Sequence, residues 1–255
     1  MKRHSVSRSR FSTAASVQRA LRALSRADKA RVLSGFFKTG PGQYGEGDRF
    51  LGVTVPAQRR VARAHRDLPF DGIAALLASD VHEDRSTGLL ILVDRFRRGD
   101  GPVRRQCHAF YLKHLDRVNN WDLVDGTAPD LVGAALAGGS LALLDRLARS
   151  PNLWRRRVAM VATFHFTRAG DAGPALRLAR RLLGDGHDLM HKAVGWMLRE
   201  VGKRASLPAL KRFLAQNASR MPRTALRYAI ERFPEARRRA YLRPRPVLVR
   251  GVKKR

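Results

Sequence analysis

Apolar residues recur at intervals of three and four along almost the whole chain, and the period-two alternation typical of strands is absent. Such spacing places apolar side chains on one side of a helix. The pattern therefore predicts an all-α, entirely helical protein. The predicted helices, divided by short breaks rich in Gly, Pro, Asp and Ser, span residues 16–24, 29–37, 56–65, 70–78, 82–97, 103–115, 120–137, 141–148, 152–167, 173–183, 188–201, 207–215 and 222–233.

From His82 onward, longer predicted helices alternate with shorter ones and begin about 40 residues apart, which is the period of HEAT-like helical pairs. Stacked pairs of this kind form a curved solenoid with a concave face. We therefore expect one HEAT-like repeat domain over residues 16–234. A flexible basic arm at 1–15 is expected to precede it, and a basic, disordered tail at 235–255 to follow it.

The net charge is the feature of composition that narrows the function most. Lys and Arg total 51 against 21 Asp and Glu, a formal charge of +30. Nucleic acid is the usual partner of such a balance, so the concave face is expected to be basic. Only nine of the 51 basic residues are Lys, which leaves a bias toward Arg codons open as the source of the excess. The resulting field attracts DNA in either case.

The cysteine count bears on the compartment and on metal binding. Cys107 is the only cysteine, which excludes an intrachain disulfide and a cysteine-based zinc or iron–sulfur cluster. A reducing cytoplasm is the expected location. Residues 1–27 carry Arg and Ser without an acidic residue, as a mitochondrial transit peptide does, but a flexible arm is the simpler interpretation. No later segment is long and apolar enough to suggest a membrane span.

An indole and a carboxylate stand four residues apart in the run NNWDLVD at 119–125. If Asn119 or Asn120 caps a helix, Trp121 and Asp125 share one face a single turn apart. An aromatic ring beside a carboxylate favours a cation. Because the chain attracts polyanions, we expect that cation to be carried within one, as an alkylated base is carried in DNA.

The predicted helix around Trp196 has two stripes of different character. One is apolar and is expected to be core: Met190, Val194, Met197 and Val201. The other lies about 100° away on the helical wheel and mixes an indole with cations: Lys192, Trp196, Arg199 and Lys203. Basic residues around an exposed aromatic ring suit a nucleic-acid groove. The alternative is a half-buried Trp at a helix contact with solvated Lys and Arg around it.

A cation also falls on the apolar face of the predicted helix after Asn152. Trp154 belongs to that face and is expected to be core, and Arg157, three residues later, shares it. A guanidinium in a core-facing position is costly unless a carboxylate, helix-end carbonyls or a bound phosphate meets it. A structural pair with Asp122 or Asp125 is the alternative to a phosphate contact.

Three separated motifs resemble those of the bacterial alkylpurine DNA glycosylases of the AlkD family, which are built from HEAT-like repeats. They are the run at 119–125, NLWRRRVA at 152–159 and KAVGWMLRE at 192–200. The likeness extends from FFKTGPGQYGEGDRFLGV at 36–53 to MPRTALRYAIERF at 221–233. In that family a Trp and an Asp on one helix, an Arg on a later one and a second Trp line the lesion site. They match Trp121, Asp125, Arg157 and Trp196.

The resemblance implies hydrolysis of the N-glycosidic bond of positively charged alkylpurines, such as N3-methyladenine and N7-methylguanine, in double-stranded DNA. It implies no metal and no cofactor, and we expect a monomer. Asp125 would stabilise an oxocarbenium-like sugar and orient the attacking water. Trp121 and Trp196 would hold the cationic nucleotide, and Arg157 would grip a flanking phosphate. Further DNA contacts are predicted from Lys192, Arg199, Lys203 and Tyr44. A non-enzymatic binder of DNA structures and a protein-interaction scaffold are the rival functions.

Three other patterns are expected to be structural. The run from Gly40 to Gly45 satisfies G-x-G-x-x-G but follows a helical pattern, so we expect a turn, which could bring Tyr44 near the DNA. His187 and His191 have the spacing of two metal ligands without a matching third, so solvated or capping histidines are expected. Glu83 and Arg85, near a helix start, are expected to form a local ion pair.

Overall fold

The computed structural model describes residues 12–243, and regular structure in that range is helical apart from one isolated bridge between Arg49 and Val81. The predicted all-helical class is confirmed. The α-helices are α1 (Ala14–Arg22), α2 (Ala27–Phe36), α3 (Val55–Ala64), α4 (Phe70–Leu77), α5 (His82–Arg98), α6 (Gly101–Lys113), α7 (Trp121–Asp125), α8 (Ala142–Ala148), α9 (Leu153–Ala162), α10 (Phe164–Arg168), α11 (Gly173–Leu182), α12 (Asp188–Glu200), α13 (Leu207–Asn217), α14 (Arg223–Ala229) and α15 (Glu235–Leu242).

The helices form two compact units, and the division falls between Ser140 and Leu141. Helices α5, α7, α9 and α12 begin 32 to 39 residues apart, close to the predicted period. The predicted alternation of long and short helices is interrupted at α7, which has five residues. The HEAT-like repeat, its curvature and its basic concave face stay predictions, as does the single domain over 16–234.

The first unit is built around the long helix α5, which packs against α3, α4 and α6. Its second half buries an apolar face that includes Leu89, Leu92 and Phe96, and α4 contributes Ile73 and Leu76. Each such side chain stabilises the fold by roughly 2 kcal/mol relative to an exposed one. The first turn of α5 is different, because its buried residues are polar.

The second unit is built around α12, which packs against α9, α11 and α14. The predicted apolar stripe from Met190 to Val201 is buried at every position, which confirms it as core. Helix α14 crosses close to Gly195, where an added Cβ atom would lie 2.5 Å from the Ala225 carbonyl oxygen. Only glycine allows that approach.

The helix predicted over 120–137 is shorter than expected, because its ladder of backbone hydrogen bonds is interrupted after Asp125. The Thr127 hydroxyl donates to the Leu123 carbonyl at 2.5 Å and competes with backbone donors for it. Pro129 has no N–H to donate to the Asp125 carbonyl. The chain continues as a π-helical turn at Pro129–Gly133 and a 3-10 turn at Ala134–Leu136.

The ends of the chain differ in part from the prediction. Residues 235–242, the beginning of the predicted disordered tail, form helix α15, so disorder was wrong for them. Glu235 forms ion pairs with Arg238 and Arg239 there, which are i,i+3 and i,i+4 contacts typical of a helix. Most of the predicted arm, residues 1–11, and the rest of the tail, 244–255, lie outside the described residues. Among the helices described, none combines the length and the apolar content needed to cross a bilayer.

Candidate functional site

Helix α7 carries the predicted pair, with Trp121 as its first residue and Asp125 as its last. The Asn120 side-chain oxygen accepts the Trp121 backbone N–H at 2.9 Å, so the predicted cap is confirmed at Asn120. Asn120 is fully buried, and its amide donates to Asp48 at 3.0 Å. The two side chains therefore lie one turn apart on a helix whose start is held by a buried residue.

The Trp121 indole is half-buried and packs against two rings at the end of α2. Phe37 stacks on it, with centroids 5.1 Å apart and planes at 11°. Phe36 meets it edge-on at 5.8 Å and is 60% exposed. One face of the indole is thus fixed by packing, while the rest of the ring is partly open to solvent.

Asp125 is half-buried and close enough to Tyr111 of α6 to influence its ionisation. Burial raises the pKa of Tyr111, and the Asp125 charge raises it further against the lowering effect of a hydrogen bond with Thr127. Tyr111 and Cys107 are both fully buried. Asp125 therefore stands at the border of an apolar core, where water screens its charge less than at an open surface.

The first turn of α5, residues 82–85, is polar and buried. The Glu83 carboxylate accepts the backbone N–H groups of residues 51–53 at 3.0, 2.9 and 3.2 Å. Arg85 pairs with Asp48 at 2.5 Å. The predicted local ion pair between Glu83 and Arg85 is therefore wrong, because both side chains bind the segment before α3.

Gly52 makes the Glu83 contact possible. Its φ is +81°, and an added Cβ atom would lie 2.2 Å from the Arg26 carbonyl oxygen. A side chain at this position would strain the backbone, and it would also push the segment around Gly52 away from Arg26. The segment 45–53 therefore packs closely on the start of α2 while presenting its N–H groups to Glu83.

His82 is the centre of the buried network. Its Nδ1 lies 3.0 Å from Asp48 Oδ2, and its Nε2 lies 2.8 Å from Asp122 Oδ2. Burial alone would lower the pKa of His82, but hydrogen bonds to Asp122 and Asp48 raise it to about 9. At neutral pH the ring is therefore an imidazolium that donates from both nitrogens.

Asp48 is shared by three buried donors. Burial alone would raise its pKa, but the hydrogen bond from His82, the charge of Arg85 and the hydrogen bond from Asn120 lower it below the ordinary value. These donors come from α5 and from the residue before α7. Asp48, at the end of a Gly-rich turn, thus connects that turn to both helices.

A pocket of about 400 Å³ opens beside the network in the first unit. Side chains of α2 and of the segment before α3 form apolar walls that include Val32, Phe37 and Phe50. His82 and Asp122 also line it, so the network reaches the surface of a cavity. Phe37 is only 7% exposed.

The predicted turn at 40–45 is confirmed, and it brings Tyr44 to the aromatic residues around Trp121. Gly42 has a φ of +71°, and Gly45 is so close to Phe37 that an added Cβ atom would lie 2.2 Å from its carbonyl oxygen. The Tyr44 hydroxyl donates to the Phe36 carbonyl at 3.4 Å. Tyr44 is half-buried, and its predicted contact with DNA stays a prediction.

Arg157 in α9 is 5% exposed, as expected for a core-facing position. Its Nη1 donates to the Leu189 carbonyl of α12 at 2.5 Å. A helix carbonyl is therefore one group that meets the buried guanidinium. Trp154 is 9% exposed, which confirms it as core. The neighbouring Arg156 points elsewhere and pairs with Asp185 at 2.6 Å.

The predicted basic stripe of α12 lies on a side of the helix that is not buried. Lys192, Trp196 and Arg199 are half-buried, and Lys203, in the π-helical turn at 201–205, is exposed. Trp196 packs at a tilt against Phe164, with centroids 5.8 Å apart. This arrangement agrees with both sequence interpretations, because the indole makes a helix contact and also keeps an exposed part.

Two cations of that stripe have acidic neighbours. Lys192 pairs with Asp188 one turn earlier at 2.8 Å, and Arg199 pairs with Glu231 at 2.5 Å. These carboxylates weaken the positive field at Lys192 and Arg199. Glu231 is 32 residues from Arg199, so the helical wheel could not reveal it.

A second pocket, of about 320 Å³, lies in the same unit and is strongly basic. Its floor is apolar and includes Leu210 and Phe233. The cations that line it are Arg199, Lys203, Lys211, Arg232 and Arg237. Converging guanidinium and ammonium groups suit phosphate oxygens. Trp196 is not among the residues that line this pocket.

The two histidines with metal-ligand spacing are engaged with the backbone. His187 caps α12 by accepting the Leu189 N–H at Nδ1, at 3.1 Å. His191 Nε2 lies 2.5 Å from the Asp185 carbonyl oxygen. The predicted capping role is thus confirmed for His187. Residues 12–243 contain no group of three or more His, Cys, Asp or Glu side chains arranged to hold a metal ion.

The structure thus brings the predicted site residues together in two sets. Trp121, Asp125 and Tyr44 belong to the first unit. The second unit contains Arg157, Lys192, Trp196, Arg199 and Lys203. Sequence analysis missed His82 and Asp48. For His82 the signal was an unusual run of polar residues, HEDR at 82–85, at the start of an otherwise apolar helix.

Comparison with known proteins gives one family. The family model described as DNA alkylation repair enzyme matches residues 17–233. A solved structure, a predicted DNA alkylation repair enzyme from Enterococcus faecalis, is similar with a TM-score of 0.62 at 15% identity, covering 83% of this chain and 97% of that chain. At that identity the likeness is one of fold. No curated protein matches the chain.

Proposed function

Because the chain belongs to the DNA alkylation repair enzyme family, whose partner is DNA, we propose that it is a monofunctional DNA glycosylase. Its substrates are positively charged alkylated purines in duplex DNA, such as N3-methyladenine and N7-methylguanine. The products are the free base and an abasic site. The formal charge of +30 supports the proposal, since it attracts the phosphate backbone.

The observation that carries the proposal is the pair on α7. The half-buried Trp121 indole is backed by the stacked Phe37 ring, and the half-buried Asp125 lies one turn away. A preformed aromatic surface and a poorly screened carboxylate together stabilise positive charge on a ligand. A cationic base and the sugar that it leaves both carry such charge.

The bond changes follow from the charge of the lesion. The C1′–N bond breaks, and its electron pair neutralises the positive charge of the alkylated base, which leaves without needing a proton. Positive charge then develops on the sugar, where the Asp125 carboxylate stabilises it. Water attacks C1′, and its proton passes to Asp125 and then to solvent.

The remaining residues have binding roles in this proposal. Trp121 and Trp196 hold the cationic nucleotide through cation–π contacts. Arg157 binds a phosphate next to the lesion, and a guanidinium carries five N–H donors for that purpose. Further DNA contacts come from Lys192, Arg199, Lys203 and Tyr44.

The experiment that tests the proposal compares the wild type with Asp125→Asn on duplex DNA treated with a methylating agent. Free N7-methylguanine and N3-methyladenine are measured by mass spectrometry under single-turnover conditions. We expect the substitution to slow base release by roughly 100-fold or more, because it removes charge that acts in the transition state. Duplex affinity, measured by fluorescence anisotropy, should change by less than about threefold.

Asp67→Asn is the matched control, because the Asp67 side chain is 84% exposed at the surface of the same unit. It should release bases at the wild-type rate. Full activity of Asp125→Asn would contradict the catalytic assignment. A wild-type protein that binds methylated duplex and releases no base would instead be a non-enzymatic binder of DNA.

A further inference from the structure

The bridge made by His82 connects the segment before α3 to the helix that carries the proposed catalytic pair. Asp48 and Asp122 belong to these two elements, and His82 bonds both. Both bonds require a proton on the ring nitrogen, since a carboxylate can only accept. An imidazolium supplies two such protons, whereas a neutral imidazole supplies one and turns a lone pair toward the other carboxylate.

Asp122 depends on His82 more than Asp48 does. Asp48 also accepts from Arg85 and Asn120. For Asp122, the bond from His82 involves Oδ2, and Oδ1 is buried without a hydrogen-bond partner among residues 12–243. Loss of the His82 proton would therefore weaken the attachment of α7 more than that of the Gly-rich turn.

A cluster of rings makes a second connection between His82 and α7. The His82 ring lies 4.7 Å from Phe50 and 5.0 Å from Phe37, and these two phenyl rings stack on each other at 4.9 Å. Phe37 then stacks on Trp121 at 5.1 Å. A shift of the imidazole is thus transmitted to the indole by close packing as well as through Asp122.

We propose that His82 is a positioning residue that holds Trp121 and Asp125 in their working geometry through Asp122 and the ring cluster, and that it does so only as a cation. The proposal rests on the glycosylase function proposed above. It adds to that function a residue that touches neither DNA nor the reacting atoms. It also predicts an upper pH limit for base release.

The charged groups around the imidazole agree with this role. Asp48 and Asp122 face it directly, and Arg85 lies behind Asp48. The positive charges of His82 and Arg85 and the negative charges of Asp48 and Asp122 therefore sum to zero. Glu83, next in the chain, is bonded to the N–H groups of residues 51–53. From α2, Asp28 and Lys29 line the same pocket, and Asp28 is paired with Arg26 at 2.8 Å. Deprotonation therefore leaves one unbalanced negative charge in a buried cluster.

The wild-type protein provides the first test. The chain has three Trp residues, so 5-fluorotryptophan labelling gives three fluorine resonances, and the Trp121 signal is assigned with Trp121→Phe. We expect that signal to shift between pH 8 and pH 10 together with the His82 ring signals. Single-turnover release of N7-methylguanine should fall over the same range, by about 10- to 100-fold, as misplaced catalytic groups do.

Two variants separate positioning from simple stability. His82→Phe keeps a ring in the cluster but removes both donors. Asp122→Asn keeps the shape and the hydrogen bond while removing the charge that favours the protonated ring. His114→Phe is the matched control, because its ring bonds the Phe110 carbonyl rather than a carboxylate. We expect His82→Phe to lose most of the activity and the fall in base release above pH 8. Asp122→Asn should move that fall to lower pH.

The outcomes distinguish this inference from the function on which it rests. If the Trp121 signal titrates with His82 but the wild type releases no base, His82 positions Trp121 and the glycosylase proposal fails. If the wild type releases base with a rate that is flat from pH 8 to pH 10, and His82→Phe matches His114→Phe, the positioning role is overturned. A His82→Phe variant that does not fold leaves the wild-type titration and Asp122→Asn to decide.

Discussion

His82 links the stability of the protein to pH. Its pKa is raised from 6.5 to about 9 in the folded chain, so the folded state binds the proton more tightly than the unfolded state does. The resulting stabilisation is complete below pH 6.5 and is lost as the pH rises through about 9. At about 1.4 kcal/mol per pKa unit, the shift corresponds to roughly 3 kcal/mol.

Urea unfolding of the wild type and of His82→Phe, followed by far-ultraviolet circular dichroism from pH 6 to pH 10, measures this contribution. Lys, Tyr and Cys also titrate at the upper end of that range, and the net charge falls. These effects are common to both proteins and cancel in the difference. We expect the difference in unfolding free energy to shrink by roughly 3 kcal/mol between pH 6 and pH 10.

A difference that stays constant within about 0.5 kcal/mol over that range would contradict the reasoning. It would mean that the folded state does not hold the His82 proton, and that Asp48 and Asp122 are not bridged by an imidazolium. His114→Phe serves as the control, because its ring bonds a backbone carbonyl. It should not reproduce the pH-dependent loss of stability expected from His82→Phe.

Three further results are expected. Arg157→Ala should weaken binding to methylated duplex and lower the slope of its salt dependence by about 1; unfolding without a separable binding defect would leave Arg157 a structural role only. Trp196→Phe should release bases faster than Trp196→Ala, because Phe keeps a π face, and equal single-turnover rates would contradict that role. Glu83→Gln should lower the unfolding free energy by about 3 kcal/mol, since the buried carboxylate accepts three N–H groups. The exposed Glu46→Gln should change it by less than about 0.5 kcal/mol, and similar losses for both would refute the argument.

The parts of the structure that were predicted correctly depend on neighbours within a turn or two. The helical class and the buried stripe of α12 follow from the spacing of apolar residues. The Asn120 cap and the turn at 40–45 follow from residues whose side chains or φ angles act locally. The end of α7 at Asp125 also has a local cause in Thr127 and Pro129, which the apolar periodicity concealed.

The parts that were missed depend on partners far along the chain. The first turn of α5 binds residues 48–53, at least 30 positions earlier. A helical wheel shows which side chains share a face but not which distant group meets them. The prediction therefore paired Glu83 with Arg85. In the structure, Glu83 instead binds N–H groups next to the Gly-rich turn, and Arg85 binds Asp48. Arg199 and Glu231 are a second example.

The pair on α7 leads to a chemical prediction that concerns the base itself. In the proposed function Trp121 and Asp125 stabilise positive charge, and no residue is proposed as an acid for a neutral leaving group. The damaged base must therefore already carry the positive charge that makes it a good leaving group. Neutral damaged bases should be poor substrates even where they fit the same DNA context.

Single-turnover release of base from two duplexes of the same sequence, one with N7-methylguanine and one with hypoxanthine at the same position, tests the central claim most directly. The free bases are quantified by chromatography with the wild-type protein in excess. We predict release of N7-methylguanine at least about 100-fold faster than release of hypoxanthine, since only the former leaves without a proton. Comparable rates for the two bases, or no release of N7-methylguanine, would contradict the account.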